Sequence, residues 1–361
     1  MTLMQEMSAR ALRLGIPISV QLDLTYRCNE RCVHCYLDHD DHGEMTTAEI
    51  KDLLGQLADS GVFFLVLSGG EIMMRRDFFE ILEHARALMF SVKLKTNAVM
   101  IRASDAERMR ALSVDSVQIS VYSHRAEVHD AITKLPGSLK RSLDGARLLR
   151  SHGVKVVFAN VLMRGNAEDY RGVQALAAEL GAQFTLDPTI TPMMDGDRSV
   201  LALNIDSTAL QAVFRDATLV GEVDEFCAPP AGPMDEKDAF DSLPCSAAHN
   251  ACYVSPYGDV YPCVQFPLPS GNVRRQKFED IWRNSAQLNE VRTITLGDLQ
   301  GCSECVHGGS CSRCPGLAYT EGNMRGPSTQ DCEKSFARTG VASVNLLSRR
   351  SASPNLVQIA F

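Results

Sequence analysis

Apolar and polar positions alternate along this chain in two rhythms that take turns from Ile18 to about Asp187. Ile18-Ser-Val-Gln-Leu-Asp-Leu24 alternates with the period of a strand, and Val62-Phe-Phe-Leu-Val-Leu67 is a continuous apolar run that reads as a buried strand. Further strands are expected at 92–96, 117–121, 154–162 and 183–186. Helical periodicity fills the gaps. Thr46-Thr-Ala-Glu49 has the form of a capping box and opens a helix to about Ser60, stopped by Gly61. A second helix is expected over 78–89. Ser104-Asp-Ala-Glu107 is another capping-box pattern, for a helix to about Leu112. Helices over 138–152 and 170–180 close at Gly153 and Gly181. Six strand–helix units with right-handed crossovers make an α/β fold of parallel strands. Periodicity alone does not separate a barrel from an open doubly wound sheet.

Composition narrows the class. The chain has 361 residues, 45% hydrophobic and 22% charged, enough for two domains or a barrel with an appendage. A net charge of −8 argues against nucleic acid as the partner. No stretch reaches the ~18–20 apolar residues of a membrane span. Residues 1–15 lack the apolar core of a signal peptide and read as a short amphipathic helix. Twelve cysteines in a chain with no export signal point to metal rather than disulfides, hence to a reducing cytoplasm.

Three of those cysteines, Cys28, Cys32 and Cys35, follow the first strand in a C-x3-C-x2-C loop. Three thiolates without a local fourth suit a cubane iron–sulfur cluster with one open iron. They also suit a zinc knuckle completed by His34, His39 or His42. The second strand ends in Ser68-Gly69-Gly70-Glu71, where two glycines permit close backbone approach to a ligand. The triplet, with Gly-Gly-Glu one βα unit later, resembles the radical S-adenosylmethionine (SAM) superfamily. The resemblance implies a partial six-stranded (β/α) barrel of the TIM type, active at the C-terminal ends of its strands. It implies a 4Fe–4S cluster on the three cysteines, with SAM chelating the open iron. Gly69, Gly70 and Glu71 would then hold the SAM amine. Thr96, Asn97, Ser120 and Asn160 would face its ribose and carboxylate, and His34 and Tyr36, flanking Cys35, its adenine side. His129-Asp130-Ala-Ile-Thr133-Lys134 resembles a family segment that often ends near an Arg. Lys134 stands there as a candidate carboxylate partner, a point charge rather than a bidentate fork.

Polar sequence around Asp195–Arg198, and Ala228-Pro-Pro-Ala-Gly-Pro233 before acidic Asp235–Asp238, mark a boundary and a linker. We divide the chain into an N-terminal extension (1–17), core barrel (18–210), linker (211–244), Cys-rich domain (245–335) and tail (336–361). The Cys-rich part holds Cys245, Cys252, Cys263, Cys302, Cys305, Cys311, Cys314 and Cys332, with a Pro256-Tyr-Gly258 turn between two short strands. Its paired C-x2-C motifs could be one zinc site with spare thiols; eight cysteines better suit two four-Cys clusters. The segment resembles the SPASM domain of peptide-modifying radical SAM enzymes. One spacing departs from its pattern: two residues, not three, separate Cys311 from Cys314. The resemblance assigns Cys245, Cys252, Cys263 and Cys314 to one auxiliary cluster, and Cys302, Cys305, Cys311 and Cys332 to the other. Cys227 is left over, a small buried hydrophobe or a catalytic thiol. The tail ends in apolar Leu356–Phe361, expected to dock on the protein.

Together the resemblances imply a peptide maturase with three 4Fe–4S clusters and SAM, served by an electron donor such as flavodoxin or ferredoxin. No leader-peptide-binding domain fits before residue 18, so a separate protein or the Cys-rich surface would recognise the leader. A tetrapyrrole side-chain-modifying enzyme is the alternative, and a zinc-binding scaffold the alternative of another class. A sulfatase-maturing role is disfavoured, because Val264 follows Cys263 where those relatives carry an Asp.

Overall fold

A computed structural model of the protein describes residues 3–230, 232–233, 242–343 and 345–346. The acidic Asp235–Asp238 stretch and the apolar Leu356–Phe361 end lie outside the described residues. The described chain forms two compact units. One comprises residues of 1–204 with 247–291, the other residues of 205–246 with those after 291.

In the first unit, β1 (Ser19–Asp23), β2 (Phe64–Ser68), β3 (Ser91–Thr96), β4 (Ser116–Ser120), β5 (Val156–Val161) and β6 (Gln183–Asp187) lie side by side in chain order, all parallel. This is the strand order of a partial (β/α) barrel. After α1 (Leu3–Leu14), the crossovers carry α2 (Thr47–Asp59), α3 (Phe78–Ala87), α4 (Ala103–Ala111), α5 (Ala126–Thr133), α6 (Ser138–Ser151) and α7 (Tyr170–Glu179). The capping box of α2 forms as its sequence predicts. Thr46 Oγ1 accepts from the Glu49 N–H at 3.3 Å, and the Glu49 carboxylate accepts from the Thr46 N–H at 2.7 Å. For α4 the expectation fails by two residues. The helix starts at Ala103, and Asp105 rather than Glu107 accepts from the N–H before it, that of Arg102, at 2.9 Å. Helix α5 had no expected counterpart.

The strands alternate strictly. Val20, Leu22, Leu65, Leu67, Val92, Leu94, Val117 and Ile119 are fully buried on the helix side of the sheet. Each such side chain contributes ~1.5–3 kcal/mol. Between them, Gln21, Asp23, Lys95, Gln118, Ser120, Thr185 and Asp187 occupy the opposite face. A parallel barrel usually fills its interior with apolar side chains. Here the interior carries polar side chains, and a cavity stands where a core would be.

The Cys-rich segment is not confined to the second unit. β7 (Ala251–Val254) pairs parallel with β1, Val20 beside Cys252, and turns at Pro256–Gly258 into antiparallel β8 (Val260–Tyr261). The sheet therefore reads β6-β5-β4-β3-β2-β1-β7-β8. Trp282, on helix Phe278–Asn284, is buried and donates its indole N–H to the Gly15 carbonyl at 2.7 Å, a packing role.

In the second unit, helix Ser207–Phe214 packs against helix Thr329–Thr339. Asp206 caps the first by accepting from the Ala209 N–H at 2.8 Å, and Ser328 caps the second through the Asp331 N–H at 3.4 Å. Phe226 sits edge-on to Phe214, ring centroids 5.6 Å apart, with the Arg338 guanidinium over its face.

Candidate active site

The C-terminal ends of the barrel strands surround a cavity of about 590 Å³. Its geometry begins with the Gly-Gly pair. The Gly70 N–H donates to the Thr25 carbonyl at 2.7 Å, and the Glu71 N–H to that of Arg27 at 2.9 Å. A Cβ on Gly70 would lie 2.4 Å from the Arg27 carbonyl oxygen, and one on Gly69 2.2 Å from that of Thr25. Only glycine permits this approach. The close neighbour is the loop that carries Cys28, so the glycines set the position of the cysteine loop.

Cys28, Cys32 and Cys35 all line the cavity. Burial pushes the Cys28 thiol up to about 12, and burial with neighbouring acidic groups raises Cys32 and Cys35 as well. Desolvated thiols of this kind become thiolates when a metal replaces their protons. Among the described residues, no three His, Cys, Asp or Glu side chains converge on a single ion. Three thiols spaced around a cavity suit a larger inorganic cluster. The same wall carries three buried polar atoms with no hydrogen-bond partner: Glu30 Oε1, His34 Nδ1 and Asn160 Oδ1. An unsatisfied buried group costs about 1–3 kcal/mol. Three on one wall mark a cavity built for a polar ligand, and the residues present fit an iron–sulfur cluster with SAM.

The structure brings most of the sequence-predicted positions to this wall: His34, Tyr36, Gly69, Gly70, Thr96, Asn97, Ser120 and Asn160. His34 lies edge-on to Tyr122, and burial lowers its pKa to about 4, so the ring is neutral. The Asn97 side chain donates to Asn29 Oδ1 at 2.7 Å and so braces the cysteine loop. Asn160 donates to the Val121 carbonyl at 2.8 Å, which aims its own oxygen outward with no partner.

Three candidates stand elsewhere. The Glu71 carboxylate is fully buried and already accepts from Thr96 Oγ1, the Asn97 N–H at 2.7 Å and the Met73 N–H at 2.9 Å. It ties β2 to β3 behind the wall, and the Gly69–Gly70 backbone is the part of the motif that lines the cavity. Lys134 is exposed at the left-handed C-cap of α5 and takes no part in the wall. Cys227 belongs to the second unit and donates its S–H to the Phe214 carbonyl at 3.3 Å.

Sequence reasoning missed Glu30 and the inner-face network. Lys95 Nζ donates to Gln21 Oε1 at 2.9 Å, Gln21 Nε2 to Asp23 Oδ1 at 3.1 Å, and the Tyr253 hydroxyl to Asp23 Oδ2 at 3.0 Å. Complete burial pushes the Asp23 carboxyl up to about 6, against the pull of Gln21 and Tyr253. Burial lowers Lys95, and Asp23 opposes that shift. The missed signal was the alternation of β3, β4 and β6, which places a polar residue at every second position.

In the second unit, Cys302, Cys305, Cys311 and Cys332 line one smaller cavity. Burial raises the Cys302 thiol to about 11 and raises Cys311 and Cys332 too. The other four cysteines divide between the units, Cys252 and Cys263 in the first, Cys245 and Cys314 in the second. Val264, directly after Cys263, lines the barrel cavity.

Comparison with known proteins agrees with this geometry. Residues 22–173 match the radical SAM superfamily, and residues 245–315 the SPASM iron–sulfur cluster-binding domain. The mycofactocin maturase MftC of Mycobacterium tuberculosis is 31% identical over 311 residues, 82% of this chain and 78% of that protein. The AdoMet-dependent heme synthase of Methanosarcina barkeri is 28% identical over 324 residues, 84% of this chain and 92% of that protein. The crystal structure of Streptococcus suis SuiB bound to precursor peptide SuiA shares the fold. Its TM-score is 0.71 at 17% identity, over 91% of this chain and 79% of that one. Among the described residues no helix is long and apolar enough to cross a membrane. The chain is an enzyme of the radical SAM superfamily with a C-terminal SPASM domain.

Proposed function

We propose that this enzyme oxidatively modifies a ribosomally made peptide, forming a crosslink or functionalising a C–H bond. The observation that carries the reading is the 31% identity to a mycofactocin maturase across 78% of that protein. Cys28, Cys32 and Cys35 would hold one 4Fe–4S cluster. Cys245, Cys252, Cys263 and Cys314 would hold a second, and Cys302, Cys305, Cys311 and Cys332 a third. When bound and reduced, by a flavodoxin or ferredoxin in the cell, the first cluster with SAM supplies a 5′-deoxyadenosyl radical that abstracts hydrogen from a substrate carbon.

The chain's own residues orient and shield. The Gly69–Gly70 backbone lines the cavity and would meet the polar end of SAM there, and Asn160 Oδ1 and Glu30 Oε1 are acceptors without a donor. Neutral His34 offers a ring face and an unpartnered Nδ1. Tyr122, buried beside Ile132, Met163 and Ile190, keeps water from the cysteine loop by packing against Cys32 and Val33. Val264 places an apolar side chain on the wall, so a proton leaving the substrate must go to another group.

A tetrapyrrole substrate is the second reading, favoured by the heme synthase that this chain covers over 92% of its length. One experiment separates the two. Anaerobically reconstituted enzyme is assayed for iron, sulfide and zinc, then given SAM and dithionite with either short peptides encoded beside its gene or a propionate-bearing tetrapyrrole. A peptide mass change with 5′-deoxyadenosine formed supports maturation. Loss of carboxyl mass from the tetrapyrrole alone would replace it with the second reading. Zinc without iron, and no SAM cleavage, would remove both.

A further inference from the structure

Arg313 lies between Cys311 and Cys314, and its side chain is buried in the wall of the second unit's cysteine cavity, 6% exposed. Its Nε donates to the Gly326 carbonyl at 2.7 Å and its Nη2 to that of Met324. Nη1 is buried with no partner. Among the described residues no carboxylate forms an ion pair with it. The one acid on this wall, Asp331, is engaged elsewhere: Oδ2 accepts from the Cys314 N–H at 2.8 Å and Oδ1 from Lys334 at 3.2 Å. His307, also on the wall, donates Nε2–H to the Val341 carbonyl at 2.9 Å, and its Nδ1 is buried with no partner. A guanidinium cannot shed its charge by deprotonation. A buried, unpaired cation is costly enough that proteins seldom keep one without an anion. Among the described residues the cavity's other anions, besides Asp331 held by Lys334 and the Cys314 N–H, are the thiolates of Cys302, Cys305, Cys311 and Cys332, which carry charge only when they hold metal.

We infer that Arg313 is the built-in counter-charge of the auxiliary cluster on Cys302, Cys305, Cys311 and Cys332, and that it sets the cluster's reduction potential; this rests on the reading that these four cysteines hold a cluster. Four thiolates around a 2+ cubane leave a net charge of −2, and one added electron makes it −3. A fixed positive charge against the thiolates stabilises the reduced form more than the oxidised one. Net charge and hydrogen bonds at sulfur are the protein's means of setting such potentials. Arg313 is therefore a positioning residue that makes this cluster a better electron acceptor.

The test uses the full chain with Cys28, Cys32 and Cys35 replaced by Ala, so that only auxiliary clusters give a signal. Comparing its iron content and low-temperature electron paramagnetic resonance with a Cys305→Ala version identifies the cluster concerned. If Cys305→Ala removes neither iron nor a signal, the four cysteines hold no cluster and the inference falls with that reading. Given the cluster, Arg313→Gln should lower its midpoint by about 59 mV, a tenfold smaller reduced-to-oxidised ratio at the wild-type midpoint for one electron. Arg313→Lys, which keeps the charge, should move it by less than half as much. An Arg313→Gln protein with full iron and an unmoved midpoint overturns the inference. If Arg313→Gln instead loses that cluster's iron, recovery in Arg313→Lys supports the role of charge, and equal loss in both overturns it.

Discussion

The two cavities carry opposite deficits. The barrel cavity has three thiols, and its unpartnered polar atoms are Glu30 Oε1, His34 Nδ1 and Asn160 Oδ1, the two oxygens with lone pairs to offer. The second unit's cavity has four thiols, and its charged unpartnered atom is a donor, Arg313 Nη1. Acceptors without donors wait for a ligand that brings N–H or O–H groups, as the ammonium and ribose of SAM would. A cation without an ion pair waits for thiolates holding metal. On the proposed reading the three-thiol site is organised around an exchangeable organic ligand, and the four-thiol site around a permanent inorganic one. That is the division expected between a cluster that does chemistry and one that carries electrons.

The largest expected effect breaks the comparison at its root. Replacing Cys28, Cys32 and Cys35 together by Ala should abolish 5′-deoxyadenosine formation and leave the auxiliary iron in place. Replacing Cys305 should do the reverse, sparing SAM cleavage while product formation falls. Iron analysis and 5′-deoxyadenosine yield check both, and SAM cleavage surviving the triple change would mean the active cluster is elsewhere. Next comes Gly70→Ala. Its new methyl would sit 2.4 Å from the Arg27 carbonyl oxygen, which is backbone and cannot turn aside. Overpacking of this kind costs up to ~3 kcal/mol, and here it displaces the loop that holds Cys28. The variant should lose iron from the barrel site only. Full iron and normal SAM cleavage would show that the loop can move to accommodate it.

What could be foreseen in the chain follows the range of the interactions involved. The cysteine spacings, the Thr46–Glu49 box and the helix-closing glycines act within a few residues, and they stand where they were expected. The Glu71 carboxylate could not be placed, because its partners Thr96 and Asn97 are a strand away and hold it inside the wall. The parallel pairing of β7 with β1 joins segments more than two hundred residues apart, and four residues of Ala251–Val254 carry no mark of their neighbour. Lys134 sat at the right point of a resemblance, but a left-handed cap turns it into solvent. The polar lining of the barrel was legible and was passed over. Ser91-Val-Lys-Leu-Lys-Thr96 and Gln183-Phe-Thr-Leu-Asp187 alternate plainly, and in a parallel barrel that alternation means a cavity where a packed interior would otherwise be.

That polar lining has a measurable consequence for stability. Asp23 is fully buried, with its pKa raised from 3.8 to about 6. A carboxyl with a folded pKa above its unfolded value binds its proton more tightly when folded. Its contribution to stability is fully present below about pH 4 and is lost as the pH rises through about 6. A two-unit shift corresponds to about 3 kcal/mol. Ligand-free wild type should therefore show a lower urea midpoint at pH 8 than at pH 5, and Asp23→Asn should flatten the difference. An equal fall in both proteins would place the pH dependence in another group.

The smallest effect tests whether the lone-pair deficit of the barrel cavity belongs to SAM. Asn160→Leu keeps the volume of the side chain and removes the unpartnered oxygen. It also removes the donor to the Val121 carbonyl, so one orphan disappears as another forms. The stability of the ligand-free protein should then change by less than about 1 kcal/mol. SAM binding should weaken by more than stability does, because the oxygen gains a partner only when the ligand arrives. One hydrogen bond of about 1–1.5 kcal/mol corresponds to a roughly five- to tenfold rise in Kd. Equilibrium dialysis of SAM against anaerobic, cluster-loaded protein measures it, with thermal unfolding of the same preparation beside it. A loss of stability with unchanged SAM affinity would make Asn160 a strand-end brace, and the acceptor reading of this cavity would then rest on Glu30 alone.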